Sequence, residues 1–160
     1  MDARREELSQ DSYFSNWSPE HQLKLCSRGP RIIVCSNFTV HKFGRGSTLG
    51  VSGKDLLMGM IVQTFMHSNA DAMTGAVRVD RGVNSAGTRW GAFVIDEKVP
   101  CAYGEKNTDL IGFYKDHIRL QPKHPFQPMV ENIWKRRIVI PRQKIGQEYF
   151  VTHQPELSAS

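Results

Sequence analysis

The sequence predicts an α+β fold: a single compact domain in which an antiparallel or mixed sheet of about five strands packs against one main buried helix, preceded by a flexible N-terminal arm. Three observations lead there. A chain of 160 residues with 39% hydrophobic content has the size of one domain and can bury about two-thirds of its unfolded surface. Its hydrophobic period is helical over residues 53–68 and changes to alternation over 76–96. Glycine and proline bracket the β-branched runs, at Gly29-Pro30, Gly44 and Pro141.

Residues 1–28 mix Glu, Asp, Ser, Asn and Gln with Tyr13, Phe14 and Trp17 and hold no sustained period, which reads as a mobile or partner-dependent arm. Within it Ser18-Pro19-Glu20 opens a short helix through Leu25, with serine as cap and proline in the first turn. The three aromatics either anchor the arm on another molecule or fold back as a flap, and the area that large rings bury favours the flap. The domain then spans residues 29–152, and 153–160 form a tail.

Residues 31–40 make the first strand, apolar on both faces in its first half, as in a covered sheet. A glycine-rich loop carrying Arg45 and Lys54 feeds the main helix, residues 53–68. Ser52 and Asp55 have the spacing of a capping box. The rows Leu57, Ile61, Phe65 and Met58, Val62, Met66 give that helix a wide apolar stripe, which reads as core. Alternation over 76–81, turn chemistry over 84–87 and a run over 89–96 predict a β-hairpin. Residues 110–120 read as a strand, with Gly112 a bulge or close-packing point. The proline-rich stretch 121–128 is extended or turned, and 129–134 make one helical turn. Residues 135–140 make a strand ended by Pro141, its run 138–140 in the core, and 149–151 a last short strand.

Catalytic and metal chemistry finds little support. A phosphate-binding loop of the Walker type needs glycine and Ser/Thr where the chain has Thr48 and Asp55, and the acid would repel a phosphate. The six histidines and three cysteines show no paired-ligand spacing, so no metal and no cofactor are expected. Asp116 and His117, adjacent in a predicted strand, face opposite sides, and Cys35 in an apolar strand reads as buried and inert. No enzyme is expected. The longest apolar stretch, 56–66, is interrupted by Gly59, Gln63 and Thr64 and falls short of the roughly 20 residues of a membrane span. The charged N-terminus does not read as a secretory signal, and an odd cysteine count points to a reducing compartment, the cytoplasm or nucleus.

Charge is the informative property. The net +5 is unevenly placed: residues 29–53 carry Arg31, Lys42 and Arg45 with no acid, and residues 112–144 carry eight bases against Asp116 and Glu131. Arg45, Lys54, Lys115, Arg119, Lys123, Lys135, Arg136, Arg137, Arg142 and Lys144 are the candidate anion-binding residues, a basic rim that grips phosphates without reading sequence. Basic residues flanking strands also prevent edge-to-edge aggregation, the plainer role for Lys135 to Arg137 taken alone.

The leading expectation is a non-catalytic structural protein that self-associates and binds an anionic polymer or surface, nucleic acid or acidic membrane. It would be similar in kind to a small viral matrix or coat protein, and virion-associated if so. Tyr13, Phe14 and Trp17 would carry self-association or partner binding, making a homo-oligomer through the arm. A host-directed regulator, or nucleic-acid-binding suppressor or adaptor, is the alternative. A small cytosolic enzyme using the glycine-rich loop and a histidine base is the second.

Overall fold

Ser18, its own backbone extended, caps the first helix: its Oγ accepts from the His21 backbone N–H at 3.2 Å, and Pro19 occupies the first turn of α1 (Pro19–Cys26). The computed structural model describes Phe14 and residues 17–35, 50, 52–100 and 107–138. The segment expected as a free arm is, from Trp17 to Arg28, folded onto the sheet. Phe14 is 3% exposed and Trp17 6%, their rings edge-on at 5.3 Å, and the Gln22 side chain donates to both of their carbonyls. This is the flap arrangement. Tyr13 lies outside the described residues, as do the glycine-rich loop through Leu49, the predicted strand at 149–151 and the tail.

The described sheet is mixed and has four strands in the order β1 (Ile32–Val34), β2 (Ala72–Arg78), β4 (Asn107–Phe113), β3 (Phe93–Pro100). β1 and β2 are parallel, and the other two pairings are antiparallel. β2 and β3 are therefore not the two arms of a hairpin, because β4 lies between them. The reason is local. Residues 84–87, with their turn-like composition, are helical: Gly82 takes φ +62° after a 3₁₀ turn (Val79–Arg81), and α2 and α3 can be placed around it, as Gly53–His67 and Val83–Arg89. The intervening helix carries the chain past the neighbouring position, and the hairpin is made by β3 with β4.

Gly112 is a close-packing point. A Cβ there would lie 2.6 Å from the Phe93 ring, and the ladder irregularities fall instead in β3, around Asp96. The predicted strand 110–120 stops at Phe113 and continues as α4 (Lys115–Leu120), and the expected single turn after the prolines is a longer helix, α5 (Gln127–Lys135). The predicted strand from residue 135 is not formed over its described part: Lys135 ends α5, and Ile138, expected in the core, is 78% exposed. α5, anchored by the fully buried Val130, occupies the chain through Lys135 and leaves residues 136–138 exposed and outside any described strand.

Both sheet faces are covered. Ile33 and Cys35 face one core with Met73, Val77, Ile111 and Phe113, under α2, α3 and α5; Ile32 faces the other with Ala72 and Leu110, under Phe14, Trp17 and Leu25 of the N-terminal segment. Burial raises the Cys35 thiol above its ordinary range. The two-faced apolar character of β1 is thus satisfied by helices on one side and the N-terminal segment on the other.

Candidate functional site

α2 supplies one wall of a cleft. Val62, Gln63, Met66 and His67 recur at helical spacing along one edge, and the end of α3 adds Arg89 and Trp90. The opposite wall is Ile118 and Arg119 of α4 with residues 121–124, and Gln127 at the start of α5 closes one end. Its volume is about 440 Å³.

Two glycines allow these walls to approach. At Gly59 of α2 an added Cβ would meet the Trp90 ring at 2.6 Å and Val130 of α5 at 2.7 Å, so both neighbours lie directly on the α2 backbone. Gly91, at φ +92°, follows Trp90 and lies under α4, where its Cβ would be 3.1 Å from Ile118. Its carbonyl lies 3.1 Å from His117 Nδ1. Asp116 and His117 open a helix rather than alternating across a strand, and Asp116 binds the His117 backbone N–H and Arg28.

An ionic group centred on the buried Asp55 includes two of the cleft's lining residues, Arg89 and His124. Asp55 leaves Ser52 without a side-chain capping bond and turns inward, where Arg89 binds both its oxygens at 2.8 and 3.0 Å. His124 Nε2 lies 3.6 Å from Asp55, while its Nδ1 accepts from the Phe126 backbone N–H at 3.2 Å. That assigns the proton to Nε2 in the neutral ring. Burial, joined by the Arg89 charge, lowers the His124 imidazole below its ordinary range against the opposing pull of Asp55. Its ring stacks on Trp90 at 4.3 Å.

The predicted bases divide into three groups. Lys54 donates to the Arg81 carbonyl, and Lys115 donates to the Ser68 carbonyl while its ammonium lies 5.4 Å from the Phe65 ring centre. These two are engaged in the fold. Arg119 and Lys123 are exposed on the cleft wall, and Lys135 and Arg136 are exposed at the end of α5; none of the four makes an ion pair among the described residues. Arg137 lies over the Trp134 ring at 4.1 Å, and Trp134 meets His67 of the cleft at 5.0 Å. Arg119 and Lys123 thus line the cleft, and Arg137 is joined to its edge through Trp134 and His67. Arg45, Arg142 and Lys144 lie outside the described residues.

Arg119 also borders a shallower depression of about 350 Å³ with Arg28, Arg31, Lys115, Asp71 and Asp116. There Arg31 pairs with Asp71 at 2.8 Å and Arg28 with Asp116 at 2.9 Å, so much of its charge is internally compensated. Hydrogen bonds from Arg31 hold the Asp71 carboxyl down at about 2 and raise the guanidinium.

Sequence reasoning did not identify His67, Arg89, Trp90 or His124 as cleft residues. Arg89 and Trp90 belong to a segment read as a strand, His124 to one read as an extended connection, and His67 to the main helix, so nothing in the sequence brought them together. No group of three or more metal-ligating side chains gathers among the described residues, and no described helix is long and apolar enough to cross a membrane. No protein-family model matches the chain, and no curated protein or solved structure matches it significantly.

Proposed function

We propose that this chain is a non-catalytic structural protein that binds an anionic polymer or surface and self-associates, similar in kind to a small viral matrix or coat protein. The observation that carries the reading is Arg119 and Lys123 on the wall of a cleft and Arg137 joined to its edge through Trp134 and His67, with no carboxylate among the cleft's lining residues. Exposed bases without an acidic partner keep their full charge for a ligand, whereas Arg31 and Arg28 are partly neutralised at home. Exposed Met129, Ile133 and Ile138 on and just beyond α5 offer apolar area for self-association. Phe14 and Trp17 serve the chain's own core, so this part of the proposal does not rest on them.

The test is a salt titration of the full chain against RNA, DNA and anionic vesicles, with sedimentation to follow assembly. Binding falls steeply with salt, and each of Arg119→Glu, Lys123→Glu, Lys135→Glu and Arg136→Glu lowers the log–log slope for nucleic acid by about 1. Weak, salt-insensitive binding to all three ligands would remove the proposal.

A further inference from the structure

The same cleft has a chemistry more specific than positive charge. Resting on the anion-binding reading, we infer that it seats one nucleotide of a single-stranded nucleic acid, with the base in the cleft and the flanking phosphates on Arg119 and Lys123. A volume of about 440 Å³ lies within the range of small-molecule sites, and its lining is mixed as a nucleobase requires. Val62, Met66, Ile118 and Pro122 supply apolar surface for the faces of a planar ring. Gln63, Gln121 and Gln127 place three amides around it; Gln127 Nε2 already donates to Glu131 and Gln121 Nε2 lies 3.1 Å from His117 Nε2, so the Gln63 amide and the carbonyl oxygens of the other two are what the edge of a base meets.

His67 adds the stacking element. Its ring is exposed, lines the cleft and already touches Trp134, on which Arg137 lies at 4.1 Å. A run of imidazole, indole and guanidinium leading out of a cleft is a surface on which successive bases can stack, with cations beside it for the backbone. A lipid headgroup needs the charge but has no use for stacking rings and amides inside a concavity. The enclosed apolar surface is also inaccessible to a base within a duplex, which favours a single strand.

The test uses the full chain and fluorescence anisotropy, comparing a labelled oligouridylate of about 20 nucleotides with an abasic phosphodiester oligomer of equal length and charge. Anionic phosphatidylserine vesicles form a third arm. The oligouridylate binds about tenfold more tightly than the abasic oligomer at the same salt, within the range expected for stacking one base. His67→Ala, an exposed position whose replacement leaves the core intact, erases that difference, and Trp134→Ala reduces it while Trp134→Phe retains it. Arg119→Glu combined with Lys123→Glu weakens binding of both oligomers. Equal, steeply salt-dependent affinity for the two oligomers would overturn the nucleotide assignment and leave the anion-binding reading standing. So would tight binding to vesicles with none to either oligomer. Absence of salt-dependent binding in all three arms would sink the anion-binding reading itself.

Discussion

Arg89 forks onto Asp55, with Nη2 at 2.8 Å from Oδ1 and 3.0 Å from Oδ2 and Nε at 3.2 Å from Oδ1, and so locks the end of α3 to the first turn of α2. The carboxylate side chain is 8% exposed and the guanidinium 47%. Removing the base leaves a buried acid beside neutral His124, and removing the acid strands a half-exposed cation. Asp55→Asn therefore costs about 2 kcal/mol, less than the roughly 3–5 kcal/mol of a fully buried pair, because water still reaches Arg89. Urea unfolding reads the loss as a lower midpoint. Arg89→Lys, which keeps the charge without the fork, also lowers it.

Gly59 governs the approach of α5 and Trp90 to α2. A methyl group would sit 2.6 Å from the indole and 2.7 Å from Val130, so Gly59→Ala destabilises by about 2 kcal/mol through overpacking despite alanine's better helix propensity. An unchanged or raised thermal midpoint for this variant would contradict the described helix contact.

Trp17 is 6% exposed in the core beneath α1, beside Phe14, Leu25 and Leu110. Trp17→Ala lowers the stability of the monomer fold by about 3 kcal/mol, measured by denaturant unfolding at concentrations low enough to suppress assembly. A Trp17 that acted only between molecules would leave this value unchanged and alter sedimentation alone.

Two pH windows follow from the titrating groups. Asp71 falls from the ordinary 3.8 to about 2, so its ionised form is stabilised by the fold; that stability is present above about 4 and is lost as pH falls through 2. Asp71→Asn flattens the acid limb of a stability curve in that range. His124 shifts in the direction that keeps it neutral when folded, so below its ordinary 6.5 the unfolded chain binds the extra proton first. Stability present at neutral pH then declines as pH drops below about 6.5, and His124→Gln removes that portion of the slope.

Much of the fold follows from local pattern. The main helix was legible because Met58, Val62 and Phe65 repeat at a helical period, and β1 because Ile32 and Ile33 are apolar toward both faces of a covered sheet. Strand partners were not legible. Choosing β4 over β3 as the neighbour of β2 depends on residues 83–89 forming a helix, a choice that their Asn, Ser and Gly composition argued against and that Val83, Ala86 and Gly87 made by burial. The site divides in the same way. The bases at 115–123 and 135–137 stood out as an excess of charge along the chain, but the cleft that Arg119 and Lys123 line and that Trp134 and His67 join to Arg137 did not.

By itself, then, the sequence determined an α+β chain with a buried main helix and a charge excess in 112–144, because periodicity and charge are properties of neighbours along the chain. Only the tertiary structure decided which bases remain available. Lys54 and Lys115 are held by backbone carbonyls and Arg31 by Asp71, whereas Lys135 and Arg136 stay exposed and Arg119 and Lys123 stay exposed on the wall of a concave surface. Partners distant in sequence make that distinction: Asp71 is recruited to Arg31 across the β1–β2 pairing, and His67 to Trp134 where α2 packs on α5.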